Sequence, residues 1–227
     1  MDTAPGLFRP ITPGAPHRWG GALLAVARRG GLRGMPALSA LSALSAAERR
    51  AADALPPRRR AEWVAGRLLA KRLAGELLAV AQDGVEVLAR ADGSPYVLVG
   101  GSPVPGVHLS LSHTRDHVAA ALAPEPVGVD LCETSSAEAV LRVADHALSP
   151  RELSLIGTDR PEALAGAWAL KEAAVKADRS GVFGAAPRRI AILGLCPPVL
   201  GGRRRAMVWR ADGAVLALVL APGAARP

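Results

Sequence analysis

The segment Trp168-Ala-Leu-Lys-Glu-Ala-Ala-Val-Lys176 gathers the side chains best suited to chemistry. On a helix, steps of four place Trp168, Glu172 and Lys176 on one face, with Lys171 beside them. A solvated Glu–Lys pair at that spacing is worth only ~0.3–0.5 kcal/mol, but a face shared with a large Trp is not simply a solvent face. Upstream, Pro126-Val-Gly-Val-Asp-Leu-Cys-Glu133 reads as a strand, with Val127, Val129 and Leu131 on one side and Gly128, Asp130 and Cys132 on the other. Asp130 suits either a metal ligand or a turn at the strand exit. Together, Asp130 and Glu172 could hold Mg2+ with few protein ligands, leaving positions for phosphate oxygens and water. In Ser110-Leu-Ser-His113 the side chains alternate, so Ser112 and His113 cannot form a nucleophile–base pair on an ideal strand. There is no GxSxG, HExxH or P-loop. Hydroxyls and an imidazole beside a basic region suit phosphate binding, although a lone strand His is more often merely structural.

These residues need elements to position them. Arg60–Val80 reads as a helix, because Trp63, Leu68, Leu69, Leu73, Leu77 and Leu78 fall on one broad face. A second helix spans Pro161–Arg179, opened by Thr158, Asp159 and Pro161 and closed by Gly181. Alternation predicts strands at Ala22–Arg28, Val85–Leu88, Tyr96–Val99, His108–Leu111, Val118–Leu122, Val127–Cys132, Ile190–Leu193, Met207–Arg210 and Val215–Leu220. Residues after Cys132 read as a Thr/Ser-rich loop. The order partly repeats, with AGRLLAKR from Ala65 and AGAWALKE from Ala165, each helix followed by a hairpin. The expected fold is therefore α+β. Two similar lobes, residues 1–107 and 108–227, would place a site in the cleft between them.

The chain of 227 residues carries 28 basic against 20 acidic side chains, a net charge of +8. The excess is concentrated: residues 1–60 hold ten arginines against Asp2, Glu48 and Asp53. Such a region predicts an anionic partner. Lysine occurs only at 71, 171 and 176. In a chain that otherwise chooses arginine, the 171/176 pair implies a need for a compact ammonium. Aromatics make up 3%, too few for the stacking platforms of single-strand nucleic-acid binders, and no helix shows an Arg-studded reading face. No apolar run reaches the ~18 residues of a membrane span. Cys132 and Cys196 are too few for a disulfide framework, so a reducing cytoplasm is expected.

GVDLCE followed by WALKEAAVK resembles the 4'-phosphopantetheinyl transferases of the larger, monomeric, surfactin-synthetase-activating type. The AGRLLAKRL helix, the RADGSP turn and the SLSH strand extend the resemblance over residues 44–194. It implies a pseudo-twofold relating the two lobes, and transfer of phosphopantetheine from coenzyme A to a serine of an apo acyl or peptidyl carrier protein. Mg2+ (or Mn2+) would be held by Asp130 and Glu172, and adenosine 3',5'-bisphosphate released. On that resemblance Glu172 and Lys176 are catalytic. Arg50, Arg90, Gly93, Ser94, Pro95, Ser110, Leu111, Ser112, His113 and Lys171 bind coenzyme A. The partners are acidic carriers, with neither nucleic acid nor membrane, and the protein is a monomer.

Two departures from the pattern stand out. Cys132 fills a position where many members carry a metal-binding Glu, and Glu133, one residue on, faces away on a regular strand unless a bulge turns it back. Ser94 stands where the family's turn often has Lys. The competing classes are a basic nucleic-acid-binding protein and a non-catalytic coenzyme A or carrier-binding module. Possession of both Asp130 and Glu172 favours an enzyme.

Overall fold

The computed structural model describes residues 6–30, 42–179 and 187–223. The chain divides into two compact units, Pro13–Glu125 and a second made of Pro126 onward together with the start of the chain through Thr12. The boundary thus lies later than 107/108. The reason is strand pairing: His108–His113 is hydrogen-bonded to His117–Ala123, which pairs in turn with Ala22–Arg28.

Along Pro13–Glu125 run β2 (His17–Trp19), β3 (Ala22–Arg28), α1 (Ala46–Asp53), α2 (Pro57–Leu78), β4 (Val85–Ala89), β5 (Pro95–Val99), β6 (Ser102–Pro103), β7 (His108–His113) and β8 (His117–Ala123). Preceding them is β1 (Arg9–Pro10), which belongs to the other unit. The main sheet has the order β2-β3-β8-β7 and is antiparallel throughout; β4-β5-β6 form a separate antiparallel meander. Helix α2 begins where Pro57 supplies a preset φ and no orphan N–H. It ends at Ala79, whose φ of 55° breaks the helical path. Its Leu69 and Leu73 pack with Leu23, Val118 and Leu122 of the sheet and Val85, Val87 and Val97 of the meander in one core.

The second unit contains β9 (Val127–Glu133), α3 (Ala137–Arg142), α4 (Ala144–Ala147), α5 (Pro150–Ile156), α6 (Pro161–Asp178), β10 (Ile192–Leu195), β11 (Pro198–Leu200), β12 (Arg205–Ala211) and β13 (Ala214–Leu220). Its sheet has the order β1-β12-β13-β9, with β1 parallel to β12 and the rest antiparallel. Asp212 (φ 43°) and Gly213 (φ 87°) make the tight β12–β13 turn. Three short helices, α3 to α5, stand where the Thr/Ser-rich loop was expected. Helix α6 lies along β9 and β13, its alanines closing on Val215, Ala217 and Val219.

The faint repeat has a physical counterpart inside each unit. Ser45 and Glu48 form a capping box on α1, and the buried Glu48 also pairs with Lys71 Nζ at 2.9 Å and accepts from Val87 N at 2.8 Å. Ser149 and Glu152 form the same box on α5, with Lys171 Nζ 2.6 Å from Glu152 and Ile192 N donating to it at 2.7 Å. Lys71 and Lys171 hold the same position in AGRLLAKR and AGAWALKE. In each case one carboxylate ties a short helix, a long helix and a strand together. Such a pair is neutral or costly to form but expensive to break.

Candidate functional site

Strand β9 and helix α6 meet unusually closely, and Gly128 is the reason. A Cβ at Gly128 would lie 1.8 Å from the Ala173 carbonyl oxygen and 2.7 Å from Ala177 N. This approach brings Lys176 Nζ to 2.6 Å from Asp130 Oδ1, and Lys176 also donates to the Val129 carbonyl at 3.1 Å. Glu172 is one helical turn before Lys176. Burial pushes its carboxyl above the ordinary range, the Asp130 charge pushes it further, and Lys176 opposes both. Two carboxylates therefore share a partly dry space with one paired cation. The β9–β13 register runs without a bulge from Val127 to Glu133, so Asp130 and Glu133 keep opposite faces. Burial, with Asp130 and Glu133 nearby, raises the Cys132 thiol to about 12, which leaves it a poor metal ligand or nucleophile.

Among the described residues there is no cluster of three or more His, Cys, Asp or Glu side chains arranged for a metal ion. The oxygen pair Asp130 and Glu172 nevertheless fits a hard divalent cation that keeps several waters. A cation there would oppose both the burial and the Asp130 charge that raise Glu172.

Lys171 is placed elsewhere than the resemblance implied. It is fully buried, paired with Glu152 and donating to the Ile190 carbonyl. Burial alone would push Glu152 up, but hydrogen bonds from Lys171, Ile192 N and Ser149 N outweigh it and hold the carboxyl below its usual value. Lys171 is thus already committed within the core, which does not accord with the phosphate contact that the resemblance implied for it.

Within Pro13–Glu125 a pocket of about 390 Å³ has among its lining residues Arg59, Glu62, Trp63, Gly66 and Arg67 of α2, Gly93 of the β4–β5 turn, Pro95 at the start of β5, and Leu111, Ser112 and His113 of β7. Arg67 stacks its guanidinium 4.0 Å from the Trp63 ring centroid. Its Nε is buried without a hydrogen-bond partner, and burial draws its pKa down to about 10 despite the Glu48 charge. An orphaned guanidinium N–H in a polar pocket is a ready anion donor.

The sequence-predicted residues divide on this pocket. Gly93, Pro95, Leu111, Ser112 and His113 line it. Four others do not. Arg50 is exposed on α1. Arg90 stacks on Tyr96 at 4.7 Å and donates to the Pro95 carbonyl. Ser94 is turned onto Asp92 Oδ1, to which its hydroxyl donates at 2.7 Å. Ser110 is buried. The cations that do line the pocket, Arg59 and Arg67, were missed. With Trp63 between them they form an i, i+4, i+8 series on α2, a readable signal once Trp63 is not assigned to the core.

Residues 126–193 match the sequence model of the 4'-phosphopantetheinyl transferase superfamily, a segment that contains Asp130, Glu172 and Lys176. No curated protein matches the chain. Among solved structures, a holo-(acyl-carrier-protein) synthase from Bacillus anthracis in complex with CoA (3',5'-ADP) is similar, with 24% identity and a TM-score of 0.38. That alignment covers 45% of this chain and 92% of the other. The Helicobacter pylori holo-[acyl-carrier-protein] synthase in complex with coenzyme A aligns with 23% identity and a TM-score of 0.36, covering 41% of this chain and 97% of that one. No helix among the described residues is long and apolar enough to cross a membrane.

Proposed function

We propose that this protein transfers the 4'-phosphopantetheine group of coenzyme A to a serine of an acidic apo acyl or peptidyl carrier protein, in the manner of the larger, monomeric, surfactin-synthetase-activating type. The observation that carries the reading is the convergence of Asp130, Glu172 and Lys176 across β9 and α6, inside the segment that matches the superfamily.

In the reaction the carrier serine oxygen attacks the pyrophosphate phosphorus that bears pantetheine. The P–O bond to the nucleotide breaks, and adenosine 3',5'-bisphosphate leaves. Negative charge builds on both attacking and departing oxygens, so fixed positive charge around them supplies most of the help. Asp130 and Glu172 would hold Mg2+ (or Mn2+), which when bound neutralises pyrophosphate charge. Lys176, tied to Asp130 and the Val129 carbonyl, adds a cation at a fixed place. Glu172, through the carboxylate oxygen not engaged by the cation, would also take up the serine proton. Arg59, Arg67, Ser112 and His113 would bind the phosphate and ribose end of coenzyme A in the α2–β7 pocket, with Arg67 gaining the partner its buried Nε lacks.

The test is intact-mass analysis of several apo carriers incubated with the protein, coenzyme A and Mg2+. A phosphopantetheine adduct on at least one carrier is expected; no adduct on any acyl or peptidyl carrier contradicts the reading.

A further inference from the structure

We propose that Glu62 is a positioning residue, holding the His113 ring so that it presents to an anion in the α2–β7 pocket. This deepens the coenzyme A reading and rests on it for the identity of the anion. Glu62 is an acid with only 10% of its side chain exposed, a depth at which carboxylates are kept only when paired. Its Oε2 lies 3.3 Å from His113 Nε2, and its Oε1 lies 3.3 Å from Arg29 Nη1 and 3.6 Å from Arg58 Nε.

Arg29, itself buried, also donates to the carbonyls of Thr114 and Arg115 at 3.3 and 2.8 Å. Those carbonyls belong to the turn that directly follows His113. Glu62 therefore holds the ring directly, and through Arg29 it holds the backbone that carries the ring. His113 by contrast is 44% exposed at the end of an edge strand, where an unsupported imidazole would sample several rotamers. A carboxylate on one ring nitrogen fixes both ring orientation and the proton on that nitrogen.

The arrangement makes an unusual sign prediction, because Glu62 also lines the pocket. A bystander carboxylate would repel an anionic ligand, so its neutralisation would tighten binding. A positioning carboxylate gives back more through His113 than it loses by repulsion. Calorimetric titration with adenosine 3',5'-bisphosphate separates the two. Glu62→Gln should weaken binding about tenfold, the low end of the range known for removing the carboxylate that orients a metal-bound imidazole. In a His113→Ala background the same substitution should be neutral or mildly tightening. Tighter or unchanged binding for the single variant, or equal losses in both backgrounds, overturns the proposal.

Glu62→Asp, which keeps a charge for Arg29 but shortens the reach to His113, should also weaken binding. A ligand-free readout separates this proposal from the functional reading. The His113 ring signals in 1H–15N spectra should show the Nε2-protonated form and move in Glu62→Gln. Unmoved ring signals overturn the positioning role, whereas a wild-type protein that binds no nucleotide while those signals do move overturns only the coenzyme A reading.

Discussion

Replacing Gly128 by alanine tests the packing on which the β9–α6 site depends. The added Cβ would sit 1.8 Å from the Ala173 carbonyl oxygen, and ordinary contact begins at 3.4 Å, so the shortfall is 3.4 − 1.8 = 1.6 Å. The obstructing atoms are backbone on a buried helix, not the end of a flexible side chain, so α6 itself has to retreat. Overpacking of a filled core costs about 1–3 kcal/mol, and a backbone clash belongs at the top of that range. For a chain of this length ~3 kcal/mol lowers the melting temperature by roughly 6–12 °C. The same retreat pulls Lys176 from Asp130, now 2.6 Å apart, and a misplacement near 1 Å can cost about 100-fold in rate. Calorimetric melting and carrier-modification assays, run well below the variant's transition, give both numbers. Gly84→Ala, with nothing within 4 Å of the added Cβ, is the control. A Gly128→Ala protein that melts with wild type and keeps its activity within twofold would refute the close-packing argument.

Lys171→Met leaves Glu152 buried without its cation and should destabilise by about 3–5 kcal/mol in denaturant titration. Lys176→Met, whose lysine is one-quarter exposed but whose partner Asp130 is buried, should destabilise less than Lys171→Met while abolishing transfer; a larger stability loss than Lys171→Met with transfer retained would mean that the two lysines have been assigned the wrong way round. Glu172 has its carboxyl raised by burial and by Asp130, so the native state binds the proton more tightly than the unfolded chain. Stability is therefore lost as pH climbs past the ordinary value of 4.5. In metal-free buffer Glu172→Gln should melt above wild type at pH 7.5, with the gap closing near pH 4, and added Mg2+ should raise only the wild-type transition. Finally, with a net charge of +8, apparent affinity for an acidic carrier should fall as salt rises; a flat response would remove charge from carrier recognition.

What the sequence made legible follows the strength of its periodic signals. The strand Ala22–Arg28 is found at its expected bounds, and the helix expected over Pro161–Arg179 runs Pro161–Asp178, because both carry long unbroken patterns. Helices α3 to α5, of six, four and seven residues, are too short to show an apolar stripe. The two-residue β1 is specified by its partner β12 two hundred positions away, information no local window holds.

At the site, the β9 register, Asp130 and the α6 face were readable because strand and helix periods fix them. Lys171 was not, because its partner Glu152 lies in a segment with no periodic signal. The scarcity of lysine did mark a real demand for a compact ammonium, but at Lys71 and Lys171 the demand comes from the core. Arg59 and Arg67 were hidden by placing Trp63 on the core face, when it also walls the pocket. The Gly-Ser-Pro turn supplies Gly93 and Pro95 to that pocket, but Ser94 turns away onto Asp92.

The most direct measurement of the central claim is the stoichiometry of transfer for wild type and three carboxylate variants. Carrier adduct and released adenosine 3',5'-bisphosphate should appear one for one with wild type. Both should vanish in Asp130→Ala and Glu172→Ala, and both should persist in Glu133→Ala, whose side chain lies on the far face of β9. Product release without adduct, or equal loss in all three variants, would contradict the account.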